Sequence, residues 1–175
     1  MMATRRATEA DLDRILELGH LFYQERRAML APAYRHTEAP NPLDTMRTRI
    51  SGDGFRTYVA DHEGWIIAYL VARITTVPLP HDRFEREGRI CDAFVLPEHR
   101  GQGVASALYA AASSWFDEEG CECEGLTVYA NNPALTLYER WGFAPFSLNM
   151  RKRRIGGPGG EGHRADAGGR SPVGR

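Results

Sequence analysis

The 175-residue sequence has few cysteines, no long apolar run and almost no lysine. Its three cysteines are an odd number, and Cys121 and Cys123 lie too close together to staple a fold, so we expect a reduced, cytoplasmic setting. No stretch approaches about 18 consecutive apolar residues, which excludes a membrane-spanning helix. The basic N-terminus continues into polar residues 8–11 instead of an apolar core, so we expect no signal peptide. Lys152 is the one lysine among 22 basic residues, a bias typical of GC-rich coding that indicates no arginine-specific chemistry.

Two phosphate-binding motifs and the patterns of metal ligands are also missing. The sequence contains no G-x-x-x-x-G-K-[ST], which excludes a Walker-type nucleotide site. Gly101-x-Gly103-x-x-Ser106 lacks the third glycine of the dinucleotide fingerprint, and no acidic residue follows the next strand to hold a ribose, so a dehydrogenase is disfavoured. The histidines and cysteines are scattered without metal-ligand spacing, so we expect no metal site.

The residues that are present predict one domain followed by a basic tail. Hydrophobic residues make up 42% and charged residues 26% of the chain, a mix typical of a globular protein. The net charge of −1 combines an acidic body, with 15 arginines and 21 acidic residues over positions 1–150, with a basic end. We predict a domain over residues 1–153 and a disordered Gly/Arg-rich tail over residues 154–175, which has no apolar periodicity to build a core. The basic run at 151–154 fits a solvated strand end better than a nucleic-acid contact.

Strand-like and helix-like segments alternate along the body, which predicts an α/β fold with a mixed parallel and antiparallel sheet. Thr8 and Asp11 have the spacing of a capping box before the first helix, and Asn132-Pro133 is a strong start for the last one. The predicted strands cover residues 3–6, 55–60, 65–76, 89–96, 126–129 and 146–150, and the predicted helices cover residues 12–29, 43–51, 104–119 and 132–141.

The most informative segment is the glycine-bearing turn that joins a strand ending before Pro97 to a helix starting near Val104. Unpaired backbone N–H groups and the positive pole of the helix dipole make such a helix start an anion site. Gly101 and Gly103 let a phosphate approach the backbone, and Arg100 can add a positive charge. The glycines alone would fit an ordinary tight connection equally well.

Two motifs together carry a family resemblance over about residues 90–146. Arg100-x-x-Gly103-x-Ala105 follows a V-x-P strand end, and Asn132 precedes Tyr138-Glu139-x-x-Gly142-Phe143 at the expected separation. This combination resembles the GNAT superfamily of acetyl-CoA-dependent N-acetyltransferases. The resemblance implies a central sheet of 6–7 strands, splayed between strands 4 and 5 and flanked by about four helices. It also implies an acyltransferase that works by direct attack in a ternary complex.

The resemblance implies a cofactor site in which the turn binds the pyrophosphate, the fourth strand pairs with the pantetheine arm, and a tyrosine protonates the departing thiolate. The implied acetyl-CoA-binding residues are Arg100, Gly101, Gln102, Gly103, Val104, Ala105, Ser106, Phe94, Val95, Leu96, Asn132 and Tyr138. A phenol within hydrogen-bond reach of the sulfur can donate that proton, so Tyr138 is the expected catalytic acid. From periodicity alone Tyr138 would be a packed helix residue, and Asn132 also fits an N-cap.

An amine attacks a thioester only when it is neutral, so a base is needed, and Asp92 is the expected one. Its segment is similar to the acidic strand of spermidine/spermine acetyltransferases, although Cys91 replaces the first acid of that pair. Glu85, Glu87 or water are alternatives, and Asp92 also fits an exposed strand acid.

The acidic body favours a cationic acceptor: a small-molecule or polyamine-like amine, a protein N-terminus or a lysine. A catalytically silent acyl-CoA-binding sensor is the alternative, and Tyr138 argues against it because a sensor needs no acid for the thiolate. Phe22, Tyr23 and Tyr34 fit either a wall of the acceptor pocket or the core. The resemblance also makes a homodimer an expected partner, and we expect no membrane partner.

Overall fold

The computed structural model describes residues 2–30, 42–76 and 84–150. The strands are β1 (Met2–Arg6), β2 (Phe55–His62), β3 (Trp65–Thr76), β4 (Arg86–Val95) and β5 (Cys123–Leu126). The helices are α1 (Leu12–Leu30), α2 (Pro42–Ser51), α3 (Val104–Glu118) and α4 (Leu135–Arg140), with short 3-10 turns at Glu9–Asp11 and Pro97–His99. None of the described helices is both long enough and apolar enough to cross a membrane.

The strands of the described residues form one five-stranded sheet in the order β1-β2-β3-β4-β5. The first four strands pair antiparallel, and β4 pairs with β5 in parallel because α3 makes the crossover between them. Apolar residues of α1 and α2 cover one face of the sheet, and α3 covers the other with Leu108, Trp115 and Phe116. Gly88 of β4 lies under the Phe116 ring, where a Cβ would overlap it. The fold is therefore α/β with a mixed sheet, as predicted, whereas the five strands of the described residues do not confirm the expected 6–7.

Local sequence signals account for the early elements. Thr8 and Asp11 form the predicted capping box, in which the Thr8 backbone N–H donates to Asp11 Oδ2 at 2.8 Å. Arg5 donates two further hydrogen bonds to the same carboxylate and, as the largest cause, lowers the pKa of Asp11 to about 2. The β2–β3 hairpin turns on Glu63 and Gly64, which both have positive φ, the geometry of a type I′ turn.

Two predicted boundaries in the C-terminal part are wrong. β5 covers Cys123–Leu126 instead of 126–129, because it pairs with the start of β4 and the chain leaves the sheet after Leu126. α4 begins at Leu135 instead of 132, since residues 131–134 form a turn in which Asn132 Oδ1 accepts the Ala134 N–H at 2.8 Å. The predicted N-cap at Asn132 is therefore wrong: the N-cap residue is Ala134, and Asn132 stabilises the turn that precedes the helix.

The predicted closing strand is absent. Residues 144–150 contain no regular secondary structure, and Phe146, Leu148 and Met150 are exposed. An alternating apolar pattern alone does not make a strand, because a strand also requires a pairing partner. The contacts of the chain separate a compact unit, Met1–Phe143, from a second unit, Ala144–Arg175. The predicted tail and the basic run at 151–154 lie outside the described residues.

Candidate active site

The parallel pairing of β4 with β5 ends before β4 does. Residues 87–90 of β4 pair with residues 123–126 of β5, whereas β4 stays paired with β3 as far as Val95. Beyond Ile90, β4 thus has no paired strand on its β5 side among the described residues. This opening is what a splay of the two strands requires, and Phe94, Val95 and Leu96 lie along it.

The start of α3 presents backbone donors beside this opening. Gly101 and Gly103 have φ angles of 74° and 81°, in the left-handed region that favours glycine. A Cβ built on either glycine would meet no atom within 4 Å, so the space above both is open. In the described part of the chain, no hydrogen bond uses the backbone N–H groups of residues 101–106. Backed by the dipole of a 15-residue helix, these donors can bind an anion.

The Arg100 side chain points toward α1. Its Nε donates to the Val95 carbonyl oxygen at 2.9 Å, and its Nη2 contacts both carboxylate oxygens of Glu25 at 2.8 and 3.0 Å. The guanidinium also lies 5.5 Å from the Phe94 ring centroid. In this structure Arg100 thus joins the turn to β4 and α1, and Glu25 is a charged neighbour that the sequence analysis did not identify.

Aromatic side chains hold α4 against the first half of α3. Trp141 donates from Nε1 to Ser106 Oγ at 3.2 Å and stacks on Tyr109, with ring centroids 4.3 Å apart. The Tyr109 hydroxyl donates to Glu124 of β5 at 2.8 Å, and Ser113 donates to the same carboxylate. The network joins β5, α3 and α4, and its one signal in the sequence is the helical spacing of the aromatic residues.

Tyr138 lies on α4 in an aromatic setting. Its ring lies edge-on to Trp141 and Phe143, with centroids 5.6 and 6.5 Å away. Its hydroxyl has no hydrogen bond to another described residue and is not sealed from solvent. Burial raises the pKa of Tyr138, so the phenol stays protonated at neutral pH. A protonated phenol with an unused hydroxyl can donate to a group placed beside it.

A bulge at Cys91 decides which way Asp92 faces. Ala72 of β3 pairs with Ile90, but Val71 pairs with Asp92, so Cys91 is an extra residue in β4. Ile90 therefore packs on the α3 side, while Asp92 and Phe94 face α1 and α2. Without the bulge, Asp92 would share the face of Ile90.

Asp92 is a largely buried, ion-paired carboxylate. Arg49 of α2 donates to its Oδ2, and the Asp92 side chain is 15% exposed. Burial raises the pKa of Asp92, while the charges of Arg49 and Arg26 oppose that rise. It is thus not the exposed strand acid that the sequence left open, and its raised pKa makes it a better proton acceptor than an ordinary aspartate.

The C-terminal half of α1 borders the opening on the same side. Phe22 packs against Phe94 with ring centroids 6.2 Å apart, and Arg26 donates to the Tyr129 hydroxyl at 3.2 Å, beyond β5. Tyr23 is 44% exposed, and Tyr34 lies outside the described residues. We call the surface between α1, α2 and the second half of β4 the acceptor face; it is formed by Phe22, Arg26, Arg49, Asp92 and Phe94.

The alternative bases lie elsewhere. Glu87 precedes Asp92 by five residues, about 17 Å along the strand, within the stretch paired to β5. It contacts Arg89 at 3.3 Å. Glu85 lies before β4 and is exposed. The structure brings neither to the opening. Over residues 2–30, 42–76 and 84–150, no three His, Cys, Asp or Glu side chains gather as metal ligands would.

A family model identifies the family of the chain, and solved structures share its fold. The model of the acetyltransferase (GNAT) family matches residues 20–143. A tetramutant protein from Bacillus halodurans has a similar structure, with a TM-score of 0.78 at 21% identity, covering 87% of this chain and 99% of that one. An aminoglycoside N-acetyltransferase, AAC(6')-Iy, solved with CoA, gives 0.67 at 18% identity, covering 87% and 99%. A protein described as a transcriptional regulator from Bacillus halodurans C-125 gives 0.68 at 21% identity, covering 88% and 100%. No curated protein sequence matches the chain.

Proposed function

Because the chain belongs to the acetyltransferase (GNAT) family, we propose that it transfers the acetyl group of acetyl-CoA to an amine bound in the same ternary complex. One observation carries this proposal: the unused N–H groups at the start of α3 lie beside the end of β4 that β5 leaves unpaired. The N–H groups at the start of α3 suit a pyrophosphate, and the unpaired end of β4 suits an extended pantetheine arm. The structural similarity to a CoA-bound acetyltransferase supports the same reading.

In this proposal acetyl-CoA is held mainly by backbone. The N–H groups of the turn and first helical turn bind the pyrophosphate, and the open space above Gly101 and Gly103 accommodates it. The backbone of residues 94–96 pairs with the pantetheine arm. Ser106 accepts a hydrogen bond from Trp141, and Asn132 accepts one from the Ala134 N–H. The hydroxyl proton of Ser106 and the side-chain NH2 group of Asn132 can still bind the cofactor.

The proposed reaction is a direct acyl transfer. The neutral amine nitrogen attacks the thioester carbonyl carbon, a C–N bond forms, and the C–S bond breaks. The amine loses one proton to Asp92, directly or through water, and the sulfur gains one from Tyr138. Burial disfavours a thiolate as it disfavours a phenolate, so the raised pKa of Tyr138 does not prevent this transfer.

Replacing Tyr138 with phenylalanine tests the proposal. We expect Tyr138→Phe to lower kcat about 10- to 100-fold, in the range typical of a lost general acid, while the Kd of acetyl-CoA stays within about twofold. Thiol release with a panel of amines measures the first quantity, and calorimetric titration measures the second. Tyr58→Phe is the matched control, since it removes a buried phenol hydroxyl from β2, two strands away from β4. An unchanged kcat in Tyr138→Phe would remove the acid role.

A second candidate function is an acyl-CoA sensor without turnover. It is favoured by the structural similarity to a protein described as a transcriptional regulator. Thiol release distinguishes the two candidate functions. Tight binding of acetyl-CoA without thiol release on any amine would support the sensor. A homodimer and a cytoplasmic location remain predictions from the sequence.

A further inference from the structure

The acceptor face carries charges of both signs in direct contact. Arg49 reaches from α2 to the Asp92 carboxylate on β4, and the two side chains are 30% and 15% exposed. The partners are 43 positions apart in the chain, so the fold, not local sequence, brings them together. The contact lies next to Phe94 on the stretch of β4 that is unpaired on its β5 side.

Among the described residues, two arginines act on the Asp92 carboxylate. Arg49 contacts it directly, and the charge of Arg26 on α1 also favours its ionised form. A polycation that places one ammonium on Asp92 would bring its other charges close to these arginines, which repel them. Polyamine-like acceptors therefore fit this face poorly, although the overall acidity of the chain favours them.

The ion pair restricts simple amines as well. An uncharged or singly cationic amine that takes the place of Arg49 on Asp92 leaves the guanidinium without its counter-ion in a partly buried position, which is unfavourable. A ligand that carries both an ammonium and a carboxylate replaces both partners at once. Arg49 suits the binding of the ligand carboxylate because a guanidinium binds a carboxylate through two parallel N–H donors.

We propose, on the basis of the acetyl transfer inferred above, that the acceptor is an α-amino acid or a similar zwitterion, with its ammonium on Asp92 and its carboxylate on Arg49. In the free protein, Arg49 and Asp92 then neutralise each other, and in the complex the substrate carboxylate and ammonium replace Asp92 and Arg49 as their respective partners. When the carboxylate draws Arg49 away, Asp92 keeps only the incoming ammonium as its close partner. The ammonium passes its first proton through Asp92 to water, and the neutral nitrogen then attacks the thioester carbon and loses its second proton to the freed Asp92 carboxylate.

Matched acceptors test this inference. Each of the twenty common L-amino acids is compared with its α-carboxamide, and spermidine and kanamycin serve as polycations, all measured by thiol release from acetyl-CoA. We expect at least one amino acid to have a kcat/KM at least tenfold above that of its amide. Arg49→Met is expected to abolish that preference by lowering turnover of the amino acid alone, and Arg49→Lys to retain part of it. Arg47→Met is the control, since it removes an exposed arginine from the same helix.

The outcomes separate this inference from the proposed function. If an amide, spermidine or kanamycin is used as well as or better than every amino acid, the inference is wrong while acetyl transfer stands. If acetyl-CoA neither binds nor releases thiol, the proposed function fails first. If acetyl-CoA binds without turnover, the amino acids are titrated into the acetyl-CoA complex. Binding of an amino acid supports the inference, and absence of binding overturns it. Should Arg49→Met not fold, the same comparison in Arg49→Lys replaces it, and an undiminished preference there counts against the role of Arg49.

Discussion

Alanine in place of Gly103 separates the effect of backbone strain from the loss of an anion site. Gly103 and Gly64 have nearly identical φ angles, 81° and 83°, and a Cβ built on either meets no atom within 4 Å. Left-handed backbone costs a non-glycine residue about 1–2 kcal/mol, so both alanine variants should be destabilised by that amount. The corresponding fall in Tm is about 2–4 °C per kcal/mol for a chain of this size.

Only the Gly103 variant should lose acetyl-CoA. Its methyl group would occupy the space above the N–H groups at the start of α3, whereas Gly64 lies in the β2–β3 turn. Losing one charge-assisted hydrogen bond costs about 1.5–3 kcal/mol, which corresponds to a Kd for acetyl-CoA raised about 10- to 150-fold. Calorimetric titration measures the Kd, and thermal unfolding confirms that the two variants are equally destabilised. Equal Kd values in the two variants would refute the assignment of the pyrophosphate to this turn.

Two further predictions concern the ion pairs of Glu25, in the C-terminal half of α1, and of Asp11, just before this helix. If Arg100 binds the pyrophosphate, Glu25 competes for its guanidinium, so Glu25→Gln should lower the KM for acetyl-CoA about two- to threefold, a small effect because the pair is exposed. Glu17→Gln, which breaks an exposed pair on the same helix, should leave that KM unchanged, and a raised KM in Glu25→Gln would instead make Glu25 a positioning residue for Arg100. Asp11, whose pKa falls to about 2 chiefly through Arg5, should stabilise the fold above pH 4 and lose that contribution as the pH falls from about 4 to 2. Between pH 4 and pH 2, the free energy of unfolding should fall by about 1–2 kcal/mol less in Asp11→Asn than in the unsubstituted chain, as measured by urea unfolding. Parallel curves of unfolding free energy against pH would contradict the assignment.

Local signals in the sequence are sufficient to predict much of the fold. The capping box at Thr8, the hairpin around Gly64 and the glycine turn before α3 depend on neighbouring residues, and each is found where it was predicted. The span of β5 was wrong because strand pairing depends on a partner elsewhere in the chain. β5 is only four residues long, and its pairing with the start of β4 fixes its place.

The candidate site is only partly readable from the sequence. The motifs single out Gly103 and Tyr138, but they do not show that Arg49 pairs with Asp92, because these two residues are far apart in the chain. The same holds for Glu25 on Arg100 and for Tyr109 under Trp141. Each contact needs the folded arrangement of α1, α2 or α4, and no periodicity encodes it.

The bulge at Cys91 means that the register of β4 against β3 is itself a determinant of the acceptor face. Side chains alternate between the faces of the sheet on both sides of the bulge, but the two halves of the strand are out of phase. A homologous chain of the same length in which this bulge is absent would keep every side chain named for the site and still present its carboxylate to α3. Comparison of related acetyltransferases by residue identity alone would not detect this difference, whereas the register of β4 against β3 would. The presence of the bulge in β4 is therefore a structural character by which acceptor classes within such a family can diverge.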